Sequence, residues 1–197
     1  DHGNMFGAVE FFKECKKNKI KPIIGTEAYV CADRHNRTAD KVRNKSYHMV
    51  LLAKNATGYK NLMKLSSFGY LEGFYYRPRI DPELLSQYSE GIIGLSACMS
   101  GEPSWHLRQK NIKAAVEAAA LYRDILGRDN YFLEIQNHGI EEEALIRQLM
   151  PQVAAETGVS IVATNDCHFL DKAHHESHDL LMAMQTGKTY NDPNRWR

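Results

Sequence analysis

The chain has 197 residues, long enough to bury a sizeable core in one domain, and nothing in it demands a second. Its 25 lysines and arginines nearly balance 24 aspartates and glutamates, which excludes the basic footprint of an autonomous nucleic-acid binder but not nucleic acid as a substrate held at a local site. No apolar run approaches the roughly 18 residues of a membrane span, no signal-peptide pattern opens the chain, and no membrane partner is expected.

In chain order, residues 7 to 19 place Ala8, Phe11, Phe12 and Cys15 at helical spacing with lysines opposite, and Pro22 follows the end of that helix. Residues 22 to 30 and 47 to 53 read as strands, separated by a polar stretch, ADRHNRTADKVRNKS, that reads as a surface loop. A helix follows from about Thr57, with Tyr59, Leu62, Met63, Ser66 and Tyr70 along one face. Strand-like runs recur at 91 to 97, 130 to 136 and 159 to 165, with helical patterns over about 104 to 127 and 141 to 157 and a last helix over about 171 to 186.

Short apolar strands alternating with amphipathic helices predict an α/β fold whose mainly parallel sheet is covered on both faces, an α/β barrel among the options. No GxGxxG follows the first strand and no GxxxxGK[ST] occurs, so dinucleotide-binding and P-loop readings lose support. No fixed-period repeat points to a solenoid. The cysteines (Cys15, Cys31, Cys98, Cys167) never form a CxxC pair, which argues for reduced thiols in a cytoplasmic protein.

Chemistry gathers after the strands. Glu27 lies in PIIGTEAYV, Cys98 ends GIIGLSAC, Asn137 and His138 end FLEIQNHG, and Asp166 and His168 end IVATNDCH. In parallel α/β folds the carboxyl ends of strands converge on one rim, where ligands bind. Histidines, carboxylates and a thiol form the donor mix of zinc, manganese or iron sites. Residues two apart on an extended chain share a side, so Asp166 and His168 can reach the same ion cluster. Two or more ions would activate water and neutralise phosphoryl charge, so metal-assisted hydrolysis is the favoured chemistry, with Asp166 and His168 as its central residues.

Each member also has a plainer reading. Glu27 alone reads as a solvated carboxylate, Cys98 alone as a small buried hydrophobe, and Cys167 as packing. His138 sits in a turn-like NHG. His48, near the start of its apolar run, lies at the wrong end for the convergence rule. His174, His175 and His178 read as a solvated helix surface, because HExxH would need a histidine where Asp179 stands. Arg77 and Arg79 in YYRPRI either grip phosphate through forked guanidinium groups or are ordinary surface arginines.

Taken in order, DHGNMFGAVEFF, KPIIGTEAYV, YHMVLLAKNATGYKNLMKLSS, YLEGFYYRPRID, GIIGLSAC, FLEIQNHG, IVATNDCHF and DPNRWR closely resemble the PHP (polymerase and histidinol phosphatase) domain family. The form resembled is the one carried by alpha subunits of bacterial DNA polymerase III, the C-family replicative polymerases. The similarity spans nearly the whole chain, and YLEGFYYRPRID and DPNRWR separate it from the small-molecule phosphatases of the wider superfamily.

The resemblance implies a distorted (β/α)7 barrel and a site for up to three divalent metal ions (Zn, Mn or Fe). Six ligand positions of the family fall on His2, Glu27, His48, Cys98, Asp166 and His168. An HxH motif and a further ligand belong upstream of DHG in the family, so residues 1–197 read as a PHP domain fragment truncated at both ends and lacking its first strand. The implied activity is metal-dependent 3′ to 5′ exonuclease or phosphoesterase action within a DNA-directed DNA polymerase. The alternative is a catalytically silent scaffold that stabilises the polymerase and docks a proofreading subunit; a free-standing phosphatase is a third reading. Implied partners are DNA, other domains of the alpha subunit, a proofreading exonuclease subunit and the sliding clamp.

Overall fold

A computed structural model describes residues 2–38, 40 and 44–195. Asp1 of DHG, part of the polar stretch after Cys31, and Trp196 and Arg197 of DPNRWR lie outside the described residues. The chain divides into two compact units, Asp1–Thr164 and Asn165–Arg197.

The first unit is a mixed α/β structure. Its elements run α1 (Ala8–Lys17), β1 (Gly25–Cys31), β2 (Ser46–Ala53), α2 (Ala56–Leu71), β3 (Arg79–Ile80), α3 (Pro82–Gln87), β4 (Ile92–Leu95), α4 (Glu102–Arg108), α5 (Ile112–Leu126), β5 (Tyr131–Ile135), α6 (Glu141–Thr157) and β6 (Ser160–Ala163). The six strands form one sheet in the order β3-β1-β2-β4-β5-β6. Three neighbouring pairs are parallel, but β2 runs antiparallel to both β1 and β4. The expectation of a mainly parallel sheet therefore holds except at β2, and that exception positions the site.

Alternation along the strands splits the sheet into two unlike faces. Thr26, Ala28, Val30, Met49, Leu51 and Ile92 are buried, and Leu62 and Leu65 of α2 join them in the core. Gly94 allows α5 to press close on this face, since a Cβ there would stand 2.5 Å from a methyl of Leu126. The opposite face, with Glu27, Tyr29, His48, Val50 and Leu52, is only half-buried. Gly7, Ala8 and Phe11 share a cavity of about 420 Å3 with Glu27, Val50 and Leu52 on that side. Full cover on both faces, as the sequence pattern predicts, is not what these strands receive.

Several local expectations change for identifiable reasons. The helical pattern over 104 to 127 is two helices: Lys110 takes a left-handed φ of 57°, and the Asn111 side chain then caps α5 by accepting from the Ala114 N–H at 3.1 Å. The buried stripe of α2 is Gly58, Leu62, Leu65 and Gly69, whereas Met63 and Tyr70 are exposed. In α1 Cys15 is buried, but Phe11 and Phe12 are exposed. β6 is an edge strand with exposed ends rather than a buried core strand. Asp81, whose carboxylate accepts from the Leu84 N–H at 3.0 Å, starts α3, an element the apolar pattern does not reveal.

The polar stretch after Cys31 is not simply a surface loop, because two arginines tie it down. Arg79, 2% exposed, donates to the carbonyls of Gly73, Arg34 and Asn36 and to Asn44 Oδ1. Arg34 is buried too and pairs with Glu72, Asp81 and Glu83. Buried guanidinium groups persist here because their donors are matched by carbonyls and carboxylates.

The second unit contains a short 3-10 turn (Lys172–His174) and α7 (His175–Gln185). Arg195 grips the Asp179 carboxylate, with Nη2 2.6 Å from Oδ2, and its guanidinium lies 4.7 Å from the Tyr190 ring centroid. No helix among the described residues is long and apolar enough to cross a membrane.

Candidate metal centre

β1 and β2 pair so that Tyr29 faces His48 and Glu27 faces Val50. Directly opposed residues share a face, so the Glu27 and His48 side chains emerge on the same half-buried side. The reversed direction of β2 decides the matter: its first residues lie at the rim where β1 and β4 end. His48, judged from the sequence to stand at the wrong end of its strand, stands at the right end of the sheet.

Cys98 reaches the same place through a tight return after β4. Ala97 takes a left-handed φ of 60°, the Gly101 N–H donates to the Cys98 carbonyl at 2.9 Å, and the His48 N–H donates to the Ser100 carbonyl at 3.0 Å. Gly101 permits the fold-back, since a Cβ there would fall 1.7 Å from the Ser96 carbonyl oxygen. His2 arrives along the other edge of β1, where residue 2 bridges Glu27 in parallel and the Gly3 N–H donates to the Glu27 carbonyl at 2.7 Å.

One donor atom each from Glu27, His48 and Cys98 lies within 4.8 Å of the other two. His48 Nδ1 contacts Glu27 Oε1 directly and lies 3.8 Å from Cys98 Sγ. His2 Nε2 stands 3.4 Å from Glu27 Oε2, and the His2 and His48 rings meet edge to face at 5.9 Å. Tyr29 packs against His48 at 5.3 Å between centroids. Burial by itself would lower the basicity of His48; hydrogen bonds with Cys98 and Glu27 and the Glu27 charge outweigh it and raise the pKa to about 9.

The donor set fits a first-row divalent ion. Bonds of about 2.0 to 2.3 Å to carboxylate, imidazole and thiolate require donors about three to four ångströms apart; Cys98 Sγ and His48 Nδ1 already stand at 3.8 Å, whereas the direct Glu27–His48 contact would have to open for an ion to enter. Glu27, His48 and Cys98 are each only partly buried.

Asp166 and His168 belong to the second unit. There His168 Nδ1 lies 2.8 Å from the Asp166 carbonyl oxygen and 3.8 Å from Asp166 Oδ1. The His168 and His178 rings approach to 5.7 Å, and Phe169 also contacts His178. Cys167 is exposed rather than packed. His138 does more than tolerate a turn: its Nδ1 and its backbone N–H both meet the buried Glu143 carboxylate, at 2.7 and 2.6 Å. Sequence reading also missed Glu134, a buried carboxylate of β5 that contacts the Ala97 N–H beside Cys98. Its only mark in the sequence was a charge inside the apolar run YFLEI.

A mixed sheet that brings carboxylate, imidazole and thiol to one rim defines an α/β domain with a candidate metal centre, and the family model described as PHP domain matches residues 1–138. The chain belongs to the PHP domain family. Its relatives include the DNA polymerase III subunit alpha of Treponema pallidum, 45% identical over 196 residues, 99% of this chain and 17% of that protein. The DNA polymerase III subunit alpha of Thermus aquaticus is 44% identical over 200 residues, all of this chain and 16% of that protein. That of Aquifex aeolicus is 42% identical over 198 residues, 98% of this chain and 17% of that protein. The chain thus spans about a sixth of the length of the curated relatives it matches.

Proposed function

We propose that this chain acts, within a bacterial replicative DNA polymerase III alpha subunit, as a metal-dependent phosphoesterase that hydrolyses phosphodiesters at a DNA 3′ end. The observation that carries the reading is the convergence of Glu27, His48 and Cys98 donors within 4.8 Å. The relatives named above support the polymerase context. In that context DNA, the other domains of the subunit, a proofreading exonuclease subunit and the sliding clamp are the proposed partners, and the cytoplasm is the proposed location.

Zinc, manganese or iron would be held by Glu27, His48 and Cys98, with His2 beside them; Asp166 and His168 join the ligand set on the strength of the family resemblance alone. A divalent ion so held supplies Lewis acidity and an activated water. His48 must shed the proton that its Glu27 contact favours before a ring nitrogen can donate a lone pair, so loading releases a proton. Tyr29, edge-on to His48, fixes the plane of that ring.

The test uses the full-length protein that contains this chain, with metal per chain and nucleotide release from a 3′-labelled primer as readouts. The expected result is bound metal and release in the parent, with both falling about 100-fold or more in His48→Ala and Glu27→Gln. Metal held without release would leave the scaffold reading in place of hydrolysis. Absence of bound metal would overturn the proposed centre.

A further inference from the structure

The two arginines of YYRPRI have opposite fates. Arg79 is buried and spends its guanidinium on backbone carbonyls and Asn44. Arg77 is exposed and forms no ion pair among the described residues. Its guanidinium carbon lies 4.8 Å from the centroid of the Tyr29 ring, the same ring that packs on His48 at 5.3 Å. One aromatic ring therefore separates a free fork of donors from the candidate metal centre.

The hairpin that carries Arg77 is anchored at this spot. The Tyr75 N–H donates to the Arg77 carbonyl at 3.1 Å, closing a tight turn. Pro78 packs beside Gly3 and Tyr29, so tightly that a Cβ on Gly3 would stand 2.8 Å from the Pro78 ring and 3.0 Å from Tyr29. At the tip Tyr76 is 84% exposed with a left-handed φ of 59°, and its ring meets Tyr75 edge to face at 4.6 Å. A large aromatic held out to solvent next to an unpaired arginine is the pairing used for single-stranded nucleic acid, with a base stacked on a ring and a phosphate held by the fork.

We propose that Arg77, steadied over Tyr29 and flanked by Tyr76, binds a backbone phosphate of a single-stranded nucleic acid next to the one cleaved at the Glu27, His48 and Cys98 centre. The assignment rests on the hydrolytic reading for the position of the scissile bond, and it makes the substrate an oligonucleotide rather than a small phosphate monoester. Arg77 holds no metal, so its removal leaves the centre loaded. Cation–π contact with Tyr29 keeps the guanidinium plane fixed, which lowers the ordering cost when phosphate arrives.

The experiment uses the full-length protein and a single-stranded oligonucleotide with phosphorothioate linkages and 5-iododeoxyuridine at its 3′ end. After irradiation, cross-links are located by peptide mass spectrometry. Cross-linking to Tyr29, Tyr75 or Tyr76 is expected, falling about five-fold or more in Arg77→Gln and partly restored in Arg77→Lys, with metal per chain unchanged. In hydrolysis assays KM should rise about ten-fold in Arg77→Gln while kcat stays within about two-fold. Equal cross-linking in parent and Arg77→Gln, or no cross-link at these tyrosines, overturns the proposal. Cross-linking that depends on Arg77 in a protein that releases no nucleotide would sink hydrolysis and leave this phosphate site standing.

Discussion

Glu134 and Thr164 are bound across β5 and β6 by a hydrogen bond of 2.7 Å from the threonine hydroxyl to the buried carboxylate. The other oxygen of that carboxylate contacts the Ala97 N–H, and the Glu134 N–H donates to Ser96 Oγ at 2.8 Å. One side chain thus ties the turn before Cys98 to the end of β6. Glu134→Ala should strip these donors of their acceptor inside the protein and cost about 3 kcal/mol, more than a surface carboxylate would. Urea unfolding of the two proteins measures it; a difference below about 0.5 kcal/mol would mean that the turn holds itself.

Gly101→Ala should disturb the centre without touching a ligand. Its φ of −68° suits any residue, so the whole effect comes from the new methyl, which would collide with the Ser96 carbonyl. The loop must open, at a cost of about 2 kcal/mol, and Cys98 must shift with it. Metal titration and thermal melting should both register the change; unaltered metal affinity would show that Cys98 tolerates movement of its turn.

The four cysteines should separate by reactivity. Burial pushes the Cys31 thiol up to about 11, and Cys15 is also buried. Cys167 is exposed and should alkylate first, about ten-fold or more ahead of the buried pair. Cys98, half-exposed, should react in the metal-free protein and be protected by added zinc. Equal labelling of Cys98 with and without zinc would argue that its sulfur is not a ligand.

Acid stability should carry the mark of Glu143. Burial would raise its pKa, but hydrogen bonds from the His138 side chain and backbone, with the charges of His138 and Arg147, hold it below the ordinary 4.5. A carboxylate depressed on folding stabilises the fold fully above its ordinary value, and that contribution disappears as pH falls through the depressed one. Melting temperatures followed downward from about pH 6 should therefore fall less steeply in Glu143→Gln than in the parent. Parallel curves would show that another group governs the acid limb.

Much of this was open to reading along the chain. The helix over 141 to 157 is found at those bounds because three glutamates open it and Gly158 ends it in a left-handed turn. β1, β2, β4 and β5 lie where apolar runs place them, within a few residues. The break at Asn111 is marked in the sequence by a capping residue, although apolar periodicity runs on through it. Arg34 and Arg79 looked like surface charge, since burial of a guanidinium depends on partners such as Asp81 and the Gly73 carbonyl that only folding brings near.

Composition, periodicity and the order of motifs determined the α/β class, the supply of donor residues and the resemblance to PHP domains, because these depend on residue types and their spacing along one dimension. The direction of β2 was decided only in three dimensions. Strand direction follows from how a connection crosses the sheet, and nothing in SYHMVLLA encodes it locally. That direction brings His48 beside Glu27 and Cys98, and the packing of Tyr29 distinguishes Arg77 from Arg79, because distances between residues far apart in the chain are set by the packed core and not by the residues themselves.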